Sequence, residues 1–298
     1  MGRKPLLMMT DAGHYEVSYV INPWMTPDAW SNDREGHLRE ALTASHALKA
    51  ALEKAGAEVM TIGGVAGLPD LVFPANAAIV LDRRAIVARF SCAERQGEER
   101  VFLNAFEALK ARGVLDVVEQ FPEGVFQEGA GDCIWDETRD HFWAGYGQRS
   151  LRAAIPVIEA FFDARAVPLE LISPRFYHLD VCFLPLTGGE VVYYPAAFSQ
   201  EAQATIRSIV PKEKLIEASD EDAAGFCVNA VNIERQIVMA TPTARLRSVL
   251  NERGYTVTGV DLAPFIMSGG GAYCMTLRLD RMRTAVPAVA ERAETAAA

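Results

Sequence analysis

Along the chain, short apolar runs and amphipathic segments follow one another in a fixed order. Leu6–Thr10 is an apolar run cut off by Asp11 and reads as a first strand. Ala41–Ala55 places Leu42, Leu48 and Leu52 at helical spacing and stops at Gly56, and Ala57–Ile62 alternates like a strand. From Leu71 onward one order recurs: strand, tight turn, strand, helix, strand. The first copy has Ala77–Leu81, a turn at Asp82–Arg84, strand Ala85–Phe90, a helix over Glu98–Arg112 and strand Val114–Glu119. The second has a strand ending at Trp135, a turn over Asp136–Asp140, strand His141–Tyr146, helix Leu151–Ala164 and strand Val167–Ile172. The third runs Val181–Leu186, Thr187-Gly188-Gly189, Glu190–Tyr194, helix Glu201–Ile209 and Lys214–Ala218. The fourth runs Ala230–Ile233, Glu234-Arg235, Gln236–Ala240, helix Thr243–Arg253 and Tyr255–Val260, and the chain then passes through Ile266–Cys274 into strand Met275–Leu279.

Each copy opens on a polar residue ahead of its first strand: Asn76, Glu128, His178, Asn229 and, in the last partial copy, Cys274. Their separations are 52, 50, 51 and 45 residues. A period near 50 marks a propeller or solenoid, and the helix in each copy rules out an ordinary four-stranded β-propeller blade. The pattern predicts an α/β fold of five ββαβ units closed in a ring, with the two chain ends sharing one unit. Closure would bring the five polar residues to one central cavity. No linker interrupts the order. Residues 1–282 are therefore expected to form a single catalytic domain, with the Ala-rich, charged stretch 283–298 as a partly disordered tail.

Composition narrows the partners. The 298-residue chain is half hydrophobic with a formal net charge of −10, and no basic stripe exists to neutralise phosphates, which argues against nucleic acid. An acidic pocket would instead attract a small cation. The five cysteines are odd in number and form no CxxC pair, which fits reduced thiols in a cytoplasmic setting. The apolar run Leu6–Met9 is too short for a secretion signal or a membrane span. The five histidines show no metal-binding spacing, so neither a metal nor another cofactor is expected. Homo-oligomer formation is left open.

The chemistry centres on Ser268-Gly269-Gly270-Gly271-Ala272-Tyr273-Cys274. Three glycines let the backbone turn sharply and approach a ligand, and the thiol that follows suits a positioned nucleophile. A thiol needs a partner to work near neutrality, and His178, its repeat counterpart, can hold and deliver protons. Glu128 could orient His178 or bind a cation. With Asp70 and Asp180 near equivalent strands, the cavity would hold three carboxylates, one histidine and one cysteine. Carboxylates accept the N–H groups of a planar guanidinium in forked pairs. Arg89 and Arg149 follow strands of the same units and could hold a substrate carboxylate. Asn22 and Asn229 are further candidates for substrate contact.

The motifs Leu68–Ala77, Glu128-Gly129-Ala130-Gly131-Asp132, Trp143–Gly147, Phe176–Asp180 and Gly269–Cys274 resemble those of the guanidine-modifying penteins. That superfamily includes arginine deiminase, dimethylarginine dimethylaminohydrolase and the amidinotransferases. The likeness spans Tyr19 to Leu279. It is strongest to the arginine dihydrolase domain of cyanobacterial arginine-degrading enzymes, which shares Asn22-Pro23-Trp24-Met25, Phe226–Val231 and Asn76. The resemblance implies a five-bladed pentein propeller, Cys274 as nucleophile, His178 as general acid and base, and Asp70, Glu128 and Asp180 on the guanidinium. Deiminases usually carry Asp where Asn76 stands. An asparagine offers an NH₂ to the carbonyl oxygen of an ureido product, so the expected reaction is arginine to ornithine, ammonia and CO₂. The alternatives are a deiminase or dimethylaminohydrolase stopping at citrulline, an amidinotransferase, or a non-catalytic binding module. Pro264, Met267 and Tyr273 depart from the dihydrolase pattern of Glu, Lys and Lys. No counterpart of the C-terminal cyclodeaminase domain follows, so conversion of ornithine to proline is not expected.

Overall fold

The hairpin turns set the architecture, because each returns a short apolar strand antiparallel beside its neighbour. Asp82 and Arg83 both lie in the left-handed region, with φ of 52° and 59°, as a two-residue hairpin turn demands. Arg83 is an unusual residue there. Its guanidinium is held by Asp116 and by the Gly113 carbonyl, which fixes the turn from outside. Asp140, Glu234 and Gly189 supply the positive φ in the other hairpins.

The computed structural model describes residues 4–283. Fifteen strands form five three-stranded sheets. They are β1 (Leu6–Thr10), β2 (Glu58–Ile62), β3 (Ala78–Leu81), β4 (Arg84–Val87), β5 (Val117–Gln120), β6 (Cys133–Asp136), β7 (His141–Tyr146), β8 (Ala166–Glu170), β9 (Phe183–Pro185), β10 (Val191–Tyr193), β11 (Leu215–Glu217), β12 (Val231–Ile233), β13 (Gln236–Ala240), β14 (Thr256–Val260) and β15 (Leu277–Arg278). Every sheet repeats one plan. Two strands pair antiparallel, a helix follows, and a third strand returns parallel to the middle one. The helices that connect the second strand of each unit to the third are α1 (Arg34–Lys54), α2 (Ala93–Ala111), α3 (Ile155–Phe162), α4 (Gln200–Ile209) and α5 (Ala244–Glu252). The fold is therefore mixed α/β in five ββαβ units, in the predicted order.

The first sheet is assembled from both ends of the described chain. β1 pairs parallel with β2 and antiparallel with β15, where Leu7 faces Arg278 and Met8 faces Leu277. β3 is buried on both faces, as its unbroken apolar run requires. Each helix lays its apolar stripe on its sheet, with Leu48 and Leu52 of α1 and Phe102 and Phe106 of α2 fully buried.

Element boundaries differ from expectation where the sequence is polar. α1 begins at Arg34 rather than Ala41, capped by the Asp33 side chain, which accepts from the Gly36 N–H. α2 begins at Ala93 rather than Glu98. α3 is shorter than expected, since Arg152–Ala154 forms a 3₁₀ turn before it and Asp163, in the left-handed conformation, ends it. β15 is also shorter than Met275–Leu279, because turn hydrogen bonds from Met275 to Gly271 and from Thr276 to Tyr273 hold the segment just after Cys274. Of the expected tail, Arg283 is described and tied to Asp82 and to the Asp163 carbonyl; the remainder lies outside the described residues.

Phe106 is fully buried in α2 within the second sheet's core. Phe106→Ala should cost about 3–5 kcal/mol in a denaturant titration, through lost burial and the cavity left behind.

Candidate active site

The five polar residues all sit in turns just ahead of the first strand of their sheets. Asn76 ends the 3₁₀ turn Pro74–Asn76, Glu128 precedes Gly129–Gly131, and His178 precedes Leu179–Val181. Asn229 and Cys274 occupy turns leading into β12 and β15. Hydrogen bonds pass from turn to turn. Asn76 Nδ2 donates to the Glu128 carbonyl at 3.0 Å, Leu179 N–H to Asp132 Oδ1 at 2.9 Å, and Asn229 Nδ2 to the Asp180 carbonyl at 3.1 Å. The N–H groups of Tyr273 and Cys274 donate to Asn229 Oδ1 at 2.9 and 3.2 Å, and Ala75 N–H donates to the Cys274 carbonyl at 3.1 Å. Gly129 makes this approach feasible. Its φ is +65°, and a Cβ there would lie 2.5 Å from the Ala75 carbonyl oxygen.

Cys274 is buried, and its Sγ is held between two groups. Asn229 Nδ2 donates to it at 3.0 Å, and the thiol donates to Asp180 Oδ2 at 3.1 Å. Burial pushes the thiol well above its ordinary range, and the Asp180 carboxylate adds to the effect. Burial likewise pushes Asp180 up to about 7, against the hydrogen bonds from Cys274 and Asn229. At rest, then, the site holds a thiol rather than a thiolate.

His178 is also buried. Its Nε2 lies 2.7 Å from Glu128 Oε2, and its Nδ1 lies 3.4 Å from Asn76 Nδ2. Burial alone would raise Glu128, but the His178 hydrogen bond and the Arg149 charge outweigh it and hold the carboxyl well below its usual range. All of Glu128's acceptor capacity goes to the protein: Oε1 takes Ser91 N–H and Oγ–H, and Oε2 takes His178 and Arg149. Of its two expected uses, orienting the histidine is therefore the one this geometry serves.

Two other carboxylates are different. Asp70 and Asp180 are buried, and each has one oxygen, Oδ1, without a hydrogen-bond partner among the described residues. Buried acceptors of this kind are costly unless a ligand supplies the donors. A small cavity lies over Asp70 and Cys274, lined also by Asn22, Phe73, Asn76 and Arg149 among others, and Asp180 sits behind the Cys274 thiol. Asn22 reaches across it, donating from Nδ2 to the Ser268 carbonyl at 2.9 Å, and Tyr177 Oη–H donates to the Gly269 carbonyl at 2.6 Å. Asn229 is not on the cavity wall. Its amide is used up in positioning Cys274.

Arg149 sits in the cavity wall over the Tyr177 ring, donating to Glu128 and to the Ile21 carbonyl. Arg89 does not reach it. Its guanidinium pairs with Glu99 at 2.9 Å and donates to the Phe121 carbonyl, tying the end of β4 to α2. The arginine that does line the cavity beside Arg149 is Arg95, which sequence reasoning passed over together with Glu98. Both sit in the charged first turns of α2, where a solvated face was the natural expectation. Among the described residues, no cluster of side chains could hold a metal ion.

Comparisons with known proteins agree with this picture. A family model described as N,N dimethylarginine dimethylhydrolase, eukaryotic, matches residues 20–281. The bifunctional arginine dihydrolase/ornithine cyclodeaminase ArgZ of Synechocystis sp. is 38% identical over 273 residues, covering 92% of this chain but only 37% of that protein. The N(G),N(G)-dimethylarginine dimethylaminohydrolase of Mycobacterium tuberculosis is 31% identical, covering 91% of this chain and 84% of that one. The solved N-terminal domain of ArgZ, a mutant bound to substrate, superposes with a TM-score of 0.87 at 36% identity over 94% of this chain and all of that one. Fold and site together define a pentein. The chain belongs to the N,N-dimethylarginine dimethylhydrolase family.

Two outcomes follow from the charges. Asp180 ionises near 7 when folded against an ordinary value of 3.8, so it binds its proton more tightly when folded. The stability this provides is complete below pH 4 and is lost as pH rises through 7. Asp180→Asn should therefore raise Tm relative to the parent most at pH 8 and by much less at pH 5. For Cys274, alkylation by iodoacetamide should be slow at pH 7 and accelerate steadily to pH 9. A cationic haloamidine, which brings a charge into the cavity, should react much faster at pH 7. Equal rates for the two reagents would contradict the thiol ground state.

Proposed function

We propose that this chain is an arginine dihydrolase, converting arginine and two waters to ornithine, two ammonia molecules and CO₂. The observation that carries the reading is the pair of unpartnered buried oxygens, Asp70 Oδ1 and Asp180 Oδ1, beside the Cys274 thiol. A guanidinium provides the forked N–H donors that both oxygens lack. Its positive charge also offsets the burial that keeps Cys274 protonated, so the thiol gives up its proton, which passes to His178 Nδ1. The thiolate then attacks the guanidinium carbon, and a C–N bond breaks. His178 protonates the departing nitrogen, which leaves as ammonia. Water attacks the S-amidino carbon, His178 takes its proton, and the thiolate is released with citrulline.

Nδ1 of His178 is the nitrogen that exchanges protons, since Nε2 is committed to Glu128. Arg149 holds the substrate carboxylate with the donors not given to Glu128 and Ile21. Asn76 is what permits the second round. A neutral amide does not repel the ureido oxygen as a carboxylate would. Its N–H facing Nδ1 also becomes free to donate once His178 is protonated. The likeness to ArgZ supports the same reading.

The turn-to-turn hydrogen bonds and the β1–β15 pairing support closure of the five sheets as a propeller around this cavity. Five cysteines without a disulfide support work in a reducing, cytoplasmic compartment. Among the described residues no helix is long and apolar enough to cross a membrane.

Incubating the protein with arginine and following products by mass spectrometry tests the function. Ornithine should accumulate and citrulline appear only transiently, and Cys274→Ser should lower turnover by roughly 10³-fold or more. Citrulline as the sole end product would replace the reading with a deiminase. Turnover of dimethylarginine but not arginine would make it a dimethylaminohydrolase, and a new guanidino compound formed from an added amine would make it an amidinotransferase.

A further inference from the structure

A second cavity lies along the first strands of the sheets and shares no lining residue with the cavity over Cys274. It runs beside β6, β12 and β15, from Ala130 and Tyr273 at one end, past Trp135, to Arg278 and Arg281 at the other. Its volume is about 540 Å³ including the mouth. The same two arginines also line a shallower recess that continues past Glu137 to the turn after β9.

The two guanidiniums have more donors than acceptors. Arg278 gives its Nε–H to Asp280 at 3.0 Å. Arg281 makes a single long contact, from Nη1 to the Trp135 carbonyl at 3.5 Å. Among the described residues Arg281 has no ion-pair partner, and the other N–H groups of both side chains find no acceptor. Both side chains are half-buried, so their charges are screened less than on an open surface. Burial and the Arg278 charge both work against the Arg281 guanidinium, and the acids Glu137 and Asp280 offset them only in part. Two like charges sharing a recess, with N–H groups to spare, match the needs of an oxyanion, whose oxygens take such donors in forked pairs.

We propose that the mouth of this cavity binds a small oxyanion, a phosphate or a carboxylate, between Arg278 and Arg281. The consequence falls on the last segment of the fold. Arg278 lies in β15 and Arg281 just after it, while Trp135 and Asn232 bring β6 and β12 to the same cavity. A bound oxyanion cancels the repulsion between two charges on that segment and thereby favours its docking against β1 and the neighbouring sheets. The site is independent of the reaction at Cys274 and of which guanidino compound is the substrate.

Thermal unfolding of the 298-residue chain, with inorganic phosphate or succinate exchanged for chloride at constant ionic strength, tests the site. The parent and Arg207→Met, which removes an exposed charge on α4, should each gain about 2–4 °C in Tm at roughly ten times the Kd of the anion. Arg281→Met should lose most of that gain, and any general stabilisation by the salt is common to all three proteins. A shift with phosphate alone makes the site one for tetrahedral oxyanions, and a shift with succinate alone makes it one for carboxylates. If Arg281→Met does not fold, modification of the parent by 2,3-butanedione, mapped by mass spectrometry, takes its place. Arg278 and Arg281 should react freely without the anion and about tenfold more slowly with it. No shift with either anion, an equal shift in Arg281→Met, or protection confined to Arg95 and Arg149 overturns the proposal.

Discussion

Glu128 keeps its negative charge where no water reaches it, and the cavity is organised around that requirement. A buried carboxylate is tolerable only when donors surround it. Here they come from three places: Ser91 after β4, Arg149 after β7 and His178 before β9. One side chain thus ties three of the five units together at their inner turns. The same bonds decide the chemistry. Because Glu128 stays ionised, it fixes the imidazole ring and commits Nε2 to donation. Nδ1 is left as the nitrogen that can work.

The other acids stand in the opposite condition. Burial raises Asp70, Asp132 and Asp180, and the nearby charges, Arg95 beside Asp70 among them, lower them only in part. Asp132 spends its oxygens on Ser150 and on the Leu179 N–H, which makes it a brace for the histidine turn. Asp70 and Asp180 each keep an oxygen without a partner. The resting cavity is therefore electrostatically incomplete, and the planar cation proposed as substrate would complete it. Specificity of this kind lies in missing donors as much as in the groups that are present.

Much of this could be read from the residues. The unit order and the period near 50 depend on apolar spacing and hairpin turns, which are local, and they located Asn76, Glu128, His178, Asn229 and Cys274 at equivalent turns. What escaped was non-local. Arg95 and Glu98 look like the solvated start of a helix, and only packing of α2 against the turns at Asp70 and Asn76 buries them. Arg89 follows a strand as Arg149 does, but a nearby Glu99 captures it. Asn229 was expected to face substrate, yet its amide is taken up by the backbone and sulfur of Cys274. Polar residue type and spacing place a side chain on a turn. They do not say whether its hydrogen bonds are already taken.

The pairing of β1 with β15 has a consequence for how the protein is made. β1 leaves the ribosome well before β15, so the strand Leu6–Thr10 waits with one edge unpaired while the intervening units are made. The turn bearing Cys274 arrives just ahead of β15 and is held by Asn229 from the preceding unit. Sealing the exposed edge and placing the Cys274 thiol are thus nearly one event. A nascent or truncated chain lacking this segment has no Cys274 and keeps an open strand edge, the kind of species that chaperones and proteases recognise. The fold delivers its reactive thiol only when the surrounding cavity is already there to restrain it.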